Sequence, residues 1–246
     1  MSGRTLVVVP ARRASSRLPE KLLLAESGRP LLSYTLEACR AATLAHGVVA
    51  AVDDPALEQV AQEMGVAAVL TDPQLPSGTD RMWAAAQQFP EAEFLVNVQG
   101  DEAEIEPAAI DAVIRALQEG CPAVTLSAPL AADAVEDPAA VKVVVNSLGD
   151  ALYFSRAAIP YPRNSGGVAP RLHLGVYGYR REVLGQFATW RPTPLEKTES
   201  LEQLRLLEHG IPLRVLEWPH AFAGIDTRND YDAFLERRCP PDSPLP

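Results

Sequence analysis

The chain is poor in the features that mark several large classes of protein. Its 246 residues hold three cysteines, Cys39, Cys121 and Cys239, odd in number and scattered. They offer neither zinc-ligand spacing nor a disulfide framework, which suits a reducing compartment, and a cytoplasmic location is expected. No apolar run approaches the roughly 20 residues of a membrane span. Met1-Ser2-Gly3-Arg4 leads towards a strand without the apolar core of a signal peptide, so no membrane partner is expected. Two glycine patterns of nucleotide-binding loops, G-x-x-x-x-G-K-[ST] and G-x-G-x-x-G, are missing. No nucleophilic Ser, Cys or His triad stands out. Positive charge is in deficit, with 22 Lys and Arg against 32 Asp and Glu and a net charge of -10. That argues against nucleic acid as a partner, because phosphate contacts need a basic face. At 47% hydrophobic residues, the chain is still long enough for one α/β domain with a sizeable core.

What the chain does have is charge placed at the ends of apolar strands. Phe94-Leu95-Val96-Asn97-Val98 is apolar at four of five positions, as a strand buried in a parallel sheet requires. It turns polar at once through Gln99-Gly100-Asp101-Glu102. Ligands of open α/β sheets bind beyond the carboxyl ends of the strands, where Asp101 offers the oxygen that Mg²⁺ prefers. A loop whose acids cap the next helix is the other reading of the same residues. The opposite charge follows the first strand, Leu6-Val7-Val8-Val9. Pro10 to Lys21 packs four cations (Arg12, Arg13, Arg17 and Lys21), two serines and two prolines into twelve residues. A donor-rich loop at that edge suits a triphosphate; a solvated basic loop is the alternative.

The pattern predicts helices over about 30–43, 55–64, from Gly78 or Thr79, and over 107–119 with Gly120 as a stop. Strands are predicted at 48–52 (ending in Asp53-Asp54), 67–70, 94–98 and 123–127. This βαβα alternation means a parallel sheet with right-handed crossovers. From about Leu130 the alternation breaks. Segments 141–145, 151–155 and 172–179 are strand-like with no long helix between them, so antiparallel pairing with a turn near Gly149-Asp150 is expected. Helices resume at 181–190 and 195–209, followed by a strand at 212–218 and a helix at 229–238. Residues 239–246 hold four prolines and are expected to be disordered. The expected fold is α/β: a single domain over 1–238, with a Rossmann-like, mostly parallel sheet flanked by helices and an embedded antiparallel portion at about 130–180.

Eight stretches, in order, carry a family resemblance. They are VVVPAR-x-x-S-x-RLP-x-K (Val7 to Lys21), SGTDR (Ser77 to Arg81), VNVQGDE (Val96 to Glu102) and VKVVV (Val141 to Val145). ALYFSR-x-x-IP (Ala151 to Pro160), HLGVYGYR (His173 to Arg180), PLE-x-x-E-x-LEQLR (Pro194 to Arg205) and GIDT (Gly224 to Thr227) complete the set. The chain resembles the 3-deoxy-manno-octulosonate cytidylyltransferases, or CMP-Kdo synthetases, across about residues 5 to 238. That family has the fold of the nucleotide-diphospho-sugar transferases.

The resemblance implies transfer of CMP from CTP to the anomeric 2-hydroxyl of Kdo, an acidic sugar of lipopolysaccharide-type polymers, with release of pyrophosphate. It implies Mg²⁺ as cofactor, held by Asp101 and Asp226, and a homodimer formed with help from the antiparallel portion. Arg12 and Lys21 would hold phosphates and act in catalysis with the two aspartates. Pro10, Ala11, Ser77, Gly78, Arg81, Gln99 and Gly100 would complete the nucleotide site. Arg156, His173, Tyr177, Glu202 and Gln203 would contact the sugar, with Arg156 on its carboxylate. From the residues alone, Asp226 also reads as a helix cap, and Glu199, Glu202 and Gln203 as one side of a helix at i, i+3 and i+4.

Four positions depart from the family pattern. Ala103 stands where Pro is usual, Arg13 where an aromatic is common, Glu20 where Gly is common and Asn146 where Asp is common. A cytidylyltransferase for a related acidic sugar (8-amino-Kdo or a sialic acid) and a non-catalytic nucleotide-binding protein are the alternative readings.

Overall fold

Strands β1 (Arg4–Ala11), β2 (Gly47–Val52), β3 (Ala67–Leu70) and β4 (Ala92–Asn97) pair in the order β3-β2-β1-β4, all parallel. Val7, Val8 and Val9 are all fully buried, as a strand covered on both faces must be. The computed structural model describes residues 3–164 and 166–238. The disorder expected for 239–246 falls outside the described residues. The chain divides into two compact units, one of Arg4–Asp111 with the segment from Phe222 onward, the other of Ala112–Ala221.

In the first unit, helices α1 (Leu31–Ala41), α2 (Pro55–Glu63) and α3 (Gly78–Ala86) return the chain between parallel strands. Their starts were legible. Asp54 accepts from Ala56 N and Pro55 opens α2, while Ser77 accepts from Asp80 N to open α3. Leu31, Leu32 and Leu36 of α1 are fully buried; truncating any one to Ala would cost about 2–5 kcal/mol. Helix α4 (Pro107–Gln118) leaves this unit. The late helix, here named α8 (Arg228–Arg238), returns to it, with Phe234 edge-on to Tyr34 at 5.1 Å.

The second unit holds β5 (Ala123–Pro129), β6 (Lys142–Val145), β7 (Ala151–Ser155), β8 (Arg171–Arg180) and β9 (Leu213–Glu217). β8 pairs antiparallel with β5 and β6, β6 antiparallel with β7, and β5 parallel with β9. The expected break in the parallel pattern is therefore present. Between β6 and β7, Asn146 Oδ1 accepts from Leu148 N and Asp150 N, and Gly149 takes φ 85°. An Asp would accept the same bonds, so this departure from the family pattern keeps the turn.

The helix expected over 195–209 is corrected. After α5 (Arg181–Phe187) come two short helices, α6 (Pro194–Glu199) and α7 (Leu204–Glu208). Ser200 closes α6 in the left-handed region at φ 54°, and Leu201 N donates to Glu196 O, which turns Leu201 into the core. No glycine marks that stop, so the sequence pattern hid it.

Candidate active site

The carboxyl ends of β1 and β4 face one set of charged groups within the first unit. Gly100 N donates to Pro10 O, which ties the loop after β4 to the end of β1. A side chain at Gly100 would crowd Ala11, Leu22 and Leu32 at 3.2–3.3 Å, and Thr35 Oγ1 donates to the Gly100 carbonyl. A larger residue there would force these side chains to give by a few tenths of an ångström. Asp101 follows directly, and its carbonyl accepts from Ile225 N, which brings the Gly224-Ile225-Asp226-Thr227 turn alongside.

Lys21 joins the two aspartates. Its Nζ donates to Asp101 Oδ2 at 2.5 Å, to Asp226 Oδ1 at 2.8 Å and to the Ile225 carbonyl at 2.9 Å. Burial alone would lower the Lys21 pKa; Asp101 and then Asp226 outweigh it and hold the ammonium charged, with a raised pKa. Arg17, which the sequence reading gave no role beyond the basic loop, pairs with Asp226 Oδ2 at 2.8 Å. Glu102 also went unassigned. Burial first, then the charges of Asp101 and Asp226, push its pKa up to about 8.

The cap reading of Asp226 fails for a local reason. Thr227 Oγ1 accepts from Asp230 N, and Asp230 Oδ2 accepts from the backbone N–H groups of Asp226 and Thr227. This reciprocal pair starts α8 and leaves the Asp226 carboxylate for the cations. The Thr227-x-x-Asp230 spacing was the signal in the sequence that separates the two readings.

The basic loop borders an open cleft of about 790 Å³ lined by Arg12, Arg13, Ala14, Ser15, Ser16, Pro19, Glu20, Asp53, Asp54 and Pro73. Arg13 is fastened on both sides, to Glu20 at 2.6 Å and to Asp54 at 3.0 Å, and its backbone N–H donates to Asp53. Arg81 lies behind this loop. Its buried guanidinium pairs with Asp53 at 3.3 Å and contacts the Thr71 hydroxyl. Arg81 therefore reaches the cleft through Asp53. The start of α3 packs against the loop after β4, since a Cβ on Gly78 would meet Gln99 Oε1 at 2.9 Å. Gln99 Nε2 in turn donates to the buried Asn97 Oδ1.

The residues expected to contact the sugar all lie in the second unit. Arg156 is heavily engaged, donating from Nε to Glu199 O, from Nη1 to Pro138 O and from Nη2 to Ser200 O. Glu199 accepts from Ser155 Oγ and from Arg156 N, so it fixes this corner. His173 and Tyr177 do meet, with ring centroids 5.4 Å apart, across a bulge in the β5–β8 register after Thr125. Thr125 Oγ1 lies near the carbonyls of Leu174 and Val176 and 3.0 Å from His173 Nε2. A hydroxyl has one proton to give. If a carbonyl takes it, His173 Nε2–H is the donor to Thr125 and Nδ1 is an acceptor. Burial drives the His173 pKa down to about 3, which keeps the ring neutral. Gln203 is buried at the start of α7, and its Nε2 has no hydrogen-bond partner. Glu202 lies in the turn before it; burial first, and then the Glu202 charge among their neighbours, raises the pKa values of Tyr177 and Tyr179. The shared helix face expected for Glu199, Glu202 and Gln203 is thus corrected by the break at Ser200.

Known proteins resemble this arrangement over nearly its whole length. The profile of the cytidylyltransferase family matches residues 6–215. The 3-deoxy-manno-octulosonate cytidylyltransferase of Acidobacterium capsulatum is 43% identical over 243 residues, covering 96% of this chain and 99% of that protein. The chain belongs to the 3-deoxy-manno-octulosonate cytidylyltransferase family. A second member, from Synechococcus elongatus, is 42% identical over 93% of this chain and 96% of its own. A solved structure of CMP:2-keto-3-deoxy-manno-octonic acid synthetase complexed with CTP superposes with a TM-score of 0.91, at 38% identity, over 94% of this chain and 97% of that one. The α/β fold of this family and its enzymatic character apply to this chain.

The chemistry of the donor set can be tested against Mg²⁺. Asp101 and Asp226 converge closely enough for one ammonium to bind both. Two hard oxygen donors, with the remaining positions left to water and phosphate, fit magnesium better than a dedicated protein cage would. Among the described residues no group of three or more His, Cys, Asp or Glu side chains is arranged for a metal. The pair fits a magnesium site completed by substrate.

Proposed function

We propose that this enzyme transfers CMP from CTP to the anomeric 2-hydroxyl of Kdo, and that the Asp101–Lys21–Asp226 cluster is its centre. The convergence of those three side chains at the end of β4 carries the reading. The sugar oxygen attacks the α-phosphorus, an O–P bond forms, the bond to the β-phosphate breaks, and pyrophosphate departs as the hydroxyl loses its proton. Chemistry of this kind depends on charge neutralisation and in-line placement more than on covalent catalysis.

Asp101 and Asp226 would hold Mg²⁺, which when bound neutralises phosphate charge and lowers the pKa of the attacking hydroxyl. Arg12 and Lys21 offer donors to the triphosphate, and Pro10, Ala11, Ser77, Gly78, Gln99 and Gly100 frame the nucleotide, with Arg81 acting on the loop through Asp53. In the second unit, the Nδ1 of a neutral His173 can accept from a sugar hydroxyl. Gln203 has a donor in hand, Glu202 precedes it and acts on Tyr177, and Arg156 keeps N–H groups beyond those it spends on carbonyls. A homodimer working in the cytoplasm completes the reading. No helix among the described residues is long and apolar enough to cross a membrane.

The test is pyrophosphate release from CTP and Mg²⁺, with Kdo, 8-amino-Kdo and N-acetylneuraminate in parallel and with ATP, GTP and UTP as controls. Release with CTP and Kdo is expected. Release with another sugar alone would move the substrate, and none from folded protein would sink the reading.

A further inference from the structure

Lys21 has two candidate partners, and its geometry serves one at a time. An ammonium has three N–H donors. Asp101, Asp226 and the Ile225 carbonyl take all three, at 2.5, 2.8 and 2.9 Å. None is left for a phosphate. The two carboxylates are also those that would take a divalent cation, and a cation bound to both would lie beside the ammonium as a like charge only partly screened by water, since the Lys21 side chain is 11% exposed.

We propose that Lys21 is an exchangeable internal cation. It holds Asp101 and Asp226 together in the free enzyme, and it leaves them for the triphosphate when a divalent cation takes them. The inference rests on the reading of the aspartates as metal ligands and deepens it. The flexible four-carbon stem of lysine lets the ammonium move while the backbone stays. Here that backbone is fixed by a one-turn 3-10 helix, Lys21–Leu23, and by Lys21 N donating to Leu18 O. Metal and nucleotide both favour the state in which Lys21 has left the pair, so each tightens the other. The exchange makes the chain bind metal poorly alone and metal with nucleotide well.

Direct metal–phosphate contact would also couple the two ligands, so the decisive experiment omits the metal. CTP binding is measured by calorimetry in EDTA for the wild type, Asp226→Asn, Lys21→Met and the double variant. Asp226→Asn weakens the tether, and CTP should bind at least about 5-fold tighter, the low end of ordinary coupling factors. With Lys21→Met also present the gain should vanish. A gain of equal size in both backgrounds would overturn the exchange, since it would report lost repulsion between carboxylate and phosphate or the release of Arg17 from Asp226 rather than the release of Lys21. No gain would also overturn it, since Lys21 would then already be free. Asp101→Asn repeats the cycle should Asp226→Asn misfold. In a second arm, Mn²⁺ binding without nucleotide is followed by electron paramagnetic resonance. Lys21→Met should bind Mn²⁺ at least about 5-fold tighter than wild type, and equal or weaker binding would contradict the exchange. A wild type that binds no CTP even with Mg²⁺ would fail the cytidylyltransferase reading and the exchange with it. Intact CTP binding with Mg²⁺ and additive variants would fail the exchange alone.

Discussion

Arg13 and Glu20 are each other's partners, joined at 2.6 Å, and Glu20 holds the left-handed region at φ 52°. Two positions that depart from the family pattern are therefore one device. The side chain of Glu20 gives Arg13 a second anchor besides Asp54, at the cost of a conformation that glycine adopts more readily. Glu20→Gly should leave stability unchanged or raise it by roughly 0.5 kcal/mol, as relief of the left-handed strain slightly exceeds the entropy glycine adds to the unfolded chain. The loop loosens, and the KM for CTP should rise a few-fold. With Arg13→Ala already present, Glu20→Gly should have no further effect on KM. Thermal unfolding and steady-state kinetics on the two variants and their combination check this; independent effects would separate the pair.

Gln203 trades stability for a donor. Its buried, unpaired Nε2 costs desolvation that no internal bond returns. Gln203→Met should raise stability by about 1 kcal/mol in urea unfolding, while the KM for Kdo rises about tenfold, the equivalent of one lost hydrogen bond of about 1.4 kcal/mol. A more stable variant with unchanged KM for Kdo would remove Gln203 from the sugar site.

His173 sets an acid limit. Its folded pKa near 3 lies below the ordinary value of 6.5, so the unfolded chain takes up the proton first. The stability it preserves is complete above pH 6.5 and is lost as pH falls towards 3, by about 2 kcal/mol at pH 5. His173→Gln, which keeps a donor to Thr125, should lose that much less between pH 7 and pH 5 in urea titrations. Parallel losses in both proteins would mean that His173 is protonated in the folded state.

The sequence carried most of this architecture for physical reasons that leave marks. Buried parallel strands read as unbroken apolar runs, and the helices at Pro55 and Gly78 start where Asp54 and Ser77 stand to cap them. The break between α6 and α7 left no such mark, because Ser200 takes a conformation usually given to glycine, and the spacing of Glu199, Glu202 and Gln203 then suggested a face that does not exist. In the site, the strand end pointed to Asp101 and the basic loop held Lys21, while resemblance assigned their roles and that of Asp226, each separately. Their mutual contact spans 80 and 205 residues of chain, which no local pattern encodes. Arg17 was missed because its partner Asp226 is as distant in sequence, and Asp53 because its partners Arg13 and Arg81 lie 40 and 28 residues away, beyond any local pattern. Asp230 was within reach, since Thr227-x-x-Asp230 is a local capping signal.

The most direct measurement is the rate of CMP-Kdo formation from CTP, Kdo and Mg²⁺ by the wild type, Asp101→Asn and Asp226→Asn, with folding checked by circular dichroism. The account predicts a folded enzyme that makes CMP-Kdo only with divalent cation, and a loss of at least about 10²-fold in each variant, the scale of removing a main electrostatic contributor. A full rate in either folded variant would contradict the assignment of the carboxylate pair as the centre of the reaction.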